Sequence, residues 1–237
     1  MQLLRKYYLH CFNLHPKIGA KTLQKIDLRI DDFESLWRNK ININSLKLDE
    51  KVKELIREVV NQFSPEEEKI KLDKKAINLA YFKDENFPIL LREIPDYPPI
   101  LYYLGEINNT LVNISVVGSR KYSNYGKMAT EKITGELVEV GVNIVSGLAL
   151  GIDAIAHREA VTRNRPTWAV LGCGVDNIYP TSHFQLAKKI IESKGAIISE
   201  FPPGTPSFNY NFPIRNRIIA GLSIATLITE AMSKSGS

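Results

Sequence analysis

Three short stretches of this 237-residue chain carry the residues best suited to holding an anion. The first is Gly118-Ser119-Arg120, which ends the apolar run LVNISVVGSR from Leu111 to Arg120. An apolar run rich in β-branched residues that stops in small ones reads as a buried strand feeding a tight loop. Backbone N–H groups in such a loop, beside a helix N-terminus, favour a phosphate-sized anion through unpaired donors and the helix dipole. Arg120 adds a planar, permanently charged fork. The second stretch is Ser146-Gly147, followed by Gly151-Ile152-Asp153, a small-residue loop that backbone could bring close to a phosphate. The third runs from Phe208, Tyr210, Asn211 and Phe212 to Arg215-Asn216-Arg217. Guanidinium forks interleaved with rings supply charge for phosphates and flat faces for unstacked bases, which is what a single nucleic-acid strand requires. Phe212, next to Pro213 at a helix start, is expected in the core, which leaves Phe208 and Tyr210 as the stacking rings.

A sheet is needed to bring these stretches together. Tyr125 to Val140 carries Met128, Ile133, Leu137 and Val140 near helical spacing, and Gly141 stops that helix before a short strand, Val142 to Val145. Strand, loop, helix and strand make a βαβ unit. Apolar strand candidates recur at 111–117, 142–145, 167–171, 196–199 and 224–229 with helical patterns between them, which predicts an α/β, Rossmann-like fold with a mainly parallel sheet. Their ends, Gly118-Ser119, Ser146-Gly147, Gly172-Cys173-Gly174, Ser199-Glu200 and Thr229-Glu230, then share one edge, where such folds bind ligands at the point of reversing strand order. Ala76 to Phe82 and Ile100 to Leu104 read as further strands that extend the sheet or cover its edge.

The first 64 residues are helical in pattern. Val52, Leu55, Ile56, Val59, Val60 and Phe63 form one stripe over Asp49 to Phe63, with partners in Leu3 to Leu14, Leu23 to Ile26 and Phe33 to Trp37. Ser64-Pro65-Glu66-Glu67 reads as an N-cap, a first-turn proline and first-turn acids, so a helical domain over 1–64 and an α/β domain over 65–237 are expected. His15-Pro16-Lys17-Ile18-Gly19 resembles a helix-hairpin-helix turn, with one glycine where that motif usually has two. Its lysines are answered by Asp27, Asp31, Asp32 and Glu34, so the main nucleic-acid site is expected elsewhere.

Composition narrows the classes further. A net charge of +5 and a sequence pI near 9.0 suit a polyanionic partner. Cys11 and Cys173 form no disulfide framework, no apolar run is long enough to span a bilayer, and Met1-Gln2-Leu3-Leu4-Arg5-Lys6 lacks a signal peptide's pattern, so a cytoplasmic protein is expected. His10, Cys11 and His15 lack a fourth metal ligand. Asp153 is read as orienting loop backbone and His157 as a hydrogen-bonded structural group. Glu200 and Glu230 stand at strand ends without a nucleophile or metal set, so neither an enzyme nor a cofactor is expected. Among enzymes of similar architecture, a phosphoribohydrolase would carry a PGGxGTxxE loop, and a dinucleotide enzyme would need a third glycine after Gly172-Cys173-Gly174; neither occurs.

The ordered runs VVGSRKYSNYG, VSGLALGIDAIAH, VLGCGVDNIYP, ISEFPPGTPSFNYNFPIRNRIIAGLS and TEAMSKSGS resemble the successive motifs of the DNA-processing protein A family, also called Smf, over residues 116–237. FPILLREIPDYPPILYYLGEI is similar to that family's lead-in. The resemblance implies a Rossmann-like domain that binds and protects single-stranded DNA, helps load the RecA recombinase in natural transformation, and forms a homodimer. It also implies a further strand and helix pattern beyond Ser237.

Overall fold

The computed structural model describes residues 4–231. Residues 1–3 and 232–237, the latter including most of the TEAMSKSGS run, lie outside the described residues. The N-terminal part holds α1 (Arg5–Asn13), α2 (Ala20–Arg29), α3 (Phe33–Trp37), α4 (Glu50–Gln62) and α5 (Pro65–Lys74). The stripe on α4 buries Val52, Leu55, Ile56 and Val59. Ser64 caps α5 by accepting the Glu67 amide, with Pro65 in the first turn, Glu66 to Glu68 at the positive end of the helix dipole, and Lys71 and Lys74 at the negative end. The apolar cluster that contains Leu9, Phe12, Ile26 and Ile56 continues past residue 64 to Leu72, Leu79, Tyr102 and Ile197. Helices and sheet therefore share a core.

Among the described residues seven strands follow: β1 (Asn78–Tyr81), β2 (Ile100–Gly105), β3 (Asn113–Val117), β4 (Asn143–Ser146), β5 (Thr167–Val170), β6 (Ala196–Ser199) and β7 (Ala225–Ile228). Their order is β1-β2-β6-β5-β4-β3-β7. Strands β6, β5, β4, β3 and β7 run parallel, while β1 and β2 add antiparallel neighbours beyond β6. Every predicted strand is present, within a residue or two of its predicted ends. β4, β5 and β6 are buried throughout because both faces are covered, which is why they read as unbroken apolar runs. β7 is the edge strand on the β3 side and is largely exposed.

On one face lie α6 (Asn124–Glu139), α7 (Ile152–Thr162) and α8 (Phe184–Glu192); α9 (Asn211–Gly221) packs on the other with Trp168, Val170 and Ile198. The register of α6 differs from the expected one. Met128 and Val140 are exposed, and the buried face consists of Gly126, Thr130, Thr134, Gly135 and Val138. Small residues there let the helix approach its neighbours closely: a Cβ on Gly135 would lie 2.6 Å from Nη2 of Arg163, at the end of α7.

The chain steps from β3 through β4 and β5 to β6, then returns to place β7 on the opposite side of β3. Strand order thus reverses between β3 and β7, whose carboxyl ends bring Gly118-Ser119-Arg120 beside Glu230.

Candidate nucleic-acid interface

The loop after β3 is held from below and from the side. The Ser119 amide donates to the Glu230 carbonyl at 2.7 Å, and the Ser119 hydroxyl donates to the Lys121 carbonyl at 2.5 Å. The Glu230 carboxylate accepts the Ser123 amide and hydroxyl, and Ser123 in turn caps α6 through the Gly126 amide at 3.0 Å. A Cβ on Gly118 would stand 2.7 Å from the Glu230 carbonyl, so the close approach of β3 and the segment after β7 requires glycine there. Arg120 is exposed, and its guanidinium carbon lies 5.7 Å from the centre of the Phe212 ring.

The loop after β4 is organised around Asp153. Its buried Oδ2 accepts the Gly147 amide at 3.1 Å and the Ala149 amide at 3.4 Å, and the Gly118 amide also stabilises the charged carboxylate. Asp153 therefore orients loop backbone, as the sequence suggested. Gly151, at φ +86°, passes so close to the first loop that a Cβ would meet the Ser119 carbonyl at 2.2 Å. The Ser146 hydroxyl is buried and donates to the Val116 carbonyl at 2.6 Å.

These contacts bear on the expectation that Gly118, Ser119, Ser146 and Gly147 cradle a phosphate through backbone donors. The amides of Gly118, Ser119 and Gly147 face protein acceptors supplied by Asp153 and Glu230. The two loops hold each other, and the charge available to a ligand belongs to side chains.

The arginines of the RNR run likewise meet protein acceptors. Arg215 is only 4% exposed; its Nη1 donates to the Gly147 carbonyl at 2.7 Å and also to the Val170 carbonyl, tying α9 to the ends of β4 and β5. Burial opposes ionisation of both Arg215 and Asp153, and each is the other's leading electrostatic support. Arg217 pairs with Glu200 Oε2 and, at 3.1 Å, with Asp96 Oδ2. Burial pushes the Glu200 carboxyl up to about 7, against the pull of Arg217. Both arginines donate to protein acceptors, Arg215 to the carbonyls of Gly147 and Val170 at the ends of β4 and β5, and Arg217 to the carboxylates of Glu200 and Asp96.

Asn211 is buried at the start of α9, its amide bonded to the Phe208 carbonyl at 3.0 Å. Phe208 and Tyr210 are exposed and stacked on each other, centroids 5.3 Å apart and planes within 8°. Phe212, expected in the core, is half-buried and forms a wall of an open cleft of about 950 Å³ with Arg120, Lys121, Asn209, Arg215 and Asn216. The structure thus brings Gly118, Ser119, Arg120, Arg215 and Asn216, with Phe212, to one cleft, whereas Ser146, Gly147, Phe208, Tyr210, Asn211 and Arg217 do not line it. Lys121 and Asn209 were missed by sequence reasoning, although Lys121 directly follows Arg120.

The metal-like N-terminal trio is dispersed. His10 Nδ1 meets the Tyr102 hydroxyl at 2.8 Å, His15 Nε2 meets Glu58 at 3.0 Å, and burial raises the Cys11 thiol well above its ordinary range. Among the described residues no group of three His, Cys, Asp or Glu side chains is placed to hold a metal ion, and no helix is long and apolar enough to cross a membrane.

Comparison with known proteins bears on this arrangement. The family model described as DNA recombination-mediator protein A matches residues 78–237. Protein Smf of Synechocystis is 48% identical over 158 residues, covering 65% of this chain and 39% of the relative, and Protein Smf of Escherichia coli is 44% identical over 167 residues, covering 70% and 45%. The chain spans about half or less of the length of these relatives. DNA processing protein A from Streptococcus pneumoniae superposes with a TM-score of 0.78 at 28% identity, over 100% of this chain and 81% of that one. A structure of DNA processing protein A from Helicobacter pylori, described as giving insight into its single-stranded DNA binding mode, superposes at 0.60 with 31% identity, over 68% and 72%. With two thirds of its length matched by that family model and the same fold in both solved relatives, the chain belongs to the DNA recombination-mediator protein A family.

Proposed function

We propose that this chain binds single-stranded DNA without turnover, as part of a recombination mediator. The observation that carries the reading is the juxtaposition of the exposed Arg120 guanidinium with the Phe212 ring, in a cleft also lined by Lys121, next in sequence to the exposed Phe208–Tyr210 stack. Cations beside solvent-facing rings suit a flexible polyanion with unstacked bases. The Helicobacter pylori relative's single-strand binding mode supports the same reading. Internal acceptors on the loop amides weigh against a nucleoside-phosphate enzyme, which would use those amides for its substrate.

Delivery of the strand to RecA, homodimer formation, a cytoplasmic location and a change near residue 64 from a helical part to an α/β part packed on one core complete the proposal and rest on family membership and sequence pattern. Fluorescent single-stranded and duplex oligonucleotides titrated over a salt series test the central claim. The single strand should bind more tightly, with affinity falling steeply as salt rises because counterions are released from phosphates. Equal affinity for duplex, or a flat salt response, would overturn it.

A further inference from the structure

The loop bearing Phe208 and Tyr210 opens in the turn Pro202-Pro203-Gly204-Thr205. The Thr205 amide donates to the Pro202 carbonyl at 3.2 Å, and Gly204 sits at φ +84° after a proline, the arrangement a type II turn requires. This turn is gripped from the segment after β5. Asp176 Oδ1 accepts the Gly204 amide at 2.8 Å, and the Gly174 amide donates to the Thr205 carbonyl at 3.0 Å. Gly174 has to be a glycine for this grip, since a Cβ would lie 2.7 Å from Asp176 Oδ1 and 2.8 Å from the Pro202 carbonyl.

The second Asp176 oxygen reaches elsewhere. Oδ2 accepts Nζ of Lys75 at 2.7 Å, and Lys75 directly follows α5. Partial burial works against charge on Asp176, but the Lys75 ammonium and the Gly204 amide more than offset it and hold the carboxyl below its ordinary range. From the turn to the rings the link is short and bonded: the Phe208 amide donates to the Pro206 carbonyl at 3.0 Å, and the Asn211 amide to the Phe208 carbonyl at 3.0 Å.

We propose that Asp176 is a positioning residue for the Phe208–Tyr210 stack, clasping the loop that bears it to Lys75 and so joining the nucleic-acid surface to the helical N-terminal segment. This rests on the single-strand reading above. Asp176 touches no nucleic acid itself; as an anion it would repel phosphate. Its contribution is to keep the two rings presented as a preformed platform, which lowers the ordering cost of binding.

The experiment compares the full chain with Asp176→Ala, Asp176→Asn, Lys75→Ala, Phe208→Ala and the doubles Asp176→Ala/Phe208→Ala and Lys75→Ala/Phe208→Ala. Affinity is read with a labelled oligodeoxythymidylate and stacking with a strand containing 2-aminopurine. A charge-assisted hydrogen bond on a side chain still 21% exposed is partly screened, so Asp176→Ala should weaken binding about five- to ten-fold. The salt slope should stay unchanged and the 2-aminopurine response should shrink. Asp176→Asn, which keeps an acceptor for Gly204, should recover most of the loss, and neither Asp176→Ala nor Lys75→Ala should add to the loss caused by Phe208→Ala. Unchanged affinity and stacking in a folded Asp176→Ala protein, or losses additive with Phe208→Ala, would overturn the proposal. Should Asp176→Ala fail to fold by circular dichroism, Lys75→Ala decides: a smaller loss that vanishes in the Phe208→Ala background supports the clasp, and no loss overturns it. A wild-type chain that binds no single strand overturns the functional reading together with this one, whereas a binding wild type with an indifferent Asp176 overturns this one alone.

Discussion

The Glu230 carboxylate and Ser123 meet in three contacts, the amide at 3.1 and 2.9 Å and the hydroxyl at 2.8 Å. An anion of the protein's own thus sits at the positive end of α6, where a phosphate would otherwise be favoured. Glu230 also accepts the Ser119 amide through its carbonyl, so one residue after β7 fixes both ends of the segment that carries Arg120.

Gly126→Ala tests that contact, since an added Cβ would fall 1.9 Å from Glu230 Oε2. In an unconstrained helix the same substitution stabilises by roughly 1 kcal/mol. Here it should lower the melting temperature and weaken single-strand binding by displacing the carboxylate. A rise in melting temperature with unchanged binding would show that Glu230 does not occupy this position.

Arg120 and Arg217 should respond differently to truncation. Arg120→Ala should weaken single-strand binding about ten-fold or more, since it removes a charge-assisted contact of about 1.5–3 kcal/mol, and should reduce the salt slope by about one. Arg217→Ala leaves Glu200 buried without its partner, so urea denaturation should show a loss of about 2 kcal/mol or more while binding changes little. A large binding loss with full stability in Arg217→Ala would return that residue to the interface.

His157 sets a pH dependence. Burial lowers its pKa to about 3, and its Nδ1 meets the Thr167 hydroxyl at 2.8 Å. The folded value lies below the unfolded value of about 6.5, so the unfolded chain takes up a proton first as pH falls, and stability is lost between about 6.5 and 3 at ~1.4 kcal/mol per pH unit. Urea midpoints of wild type and His157→Gln should converge on acidification from pH 7 to pH 5. A gap independent of pH would show that the imidazole is not held neutral.

Removal of residues 1–64 should disturb the sheet itself. Tyr102, fully buried, accepts or shares hydrogen bonds with His10 and Asn13, and Lys6 Nζ donates to the Leu79 carbonyl. A fragment beginning at Pro65 uncovers Leu79 and Tyr102 and should lose the single sharp thermal transition expected of the full chain. An equally sharp transition at the same temperature would show that the helices are a separable unit.

Local chemistry was enough for much of this molecule. The α4 stripe, the Ser64 cap, the strand runs and the glycines that end them are set by periodicity, capping and backbone freedom, which act over a few residues and are therefore written in the chain. The strand run that ends in Gly118-Ser119 likewise placed Arg120 at the edge of the sheet. What the sequence could not contain was the pairing of polar groups far apart in it: Ser123 with Glu230, 107 residues on, or Arg215 with the Gly147 carbonyl, 68 residues away. Those partners depend on strand order, which folds β7 back beside β3 and lays α9 across the ends of β4 and β5. Tertiary structure alone turned Arg215 and Arg217 inward, gave the loop amides to Asp153 and Glu230, and brought Phe212 to the wall of the cleft, because a buried donor or acceptor must find a partner wherever the fold places one.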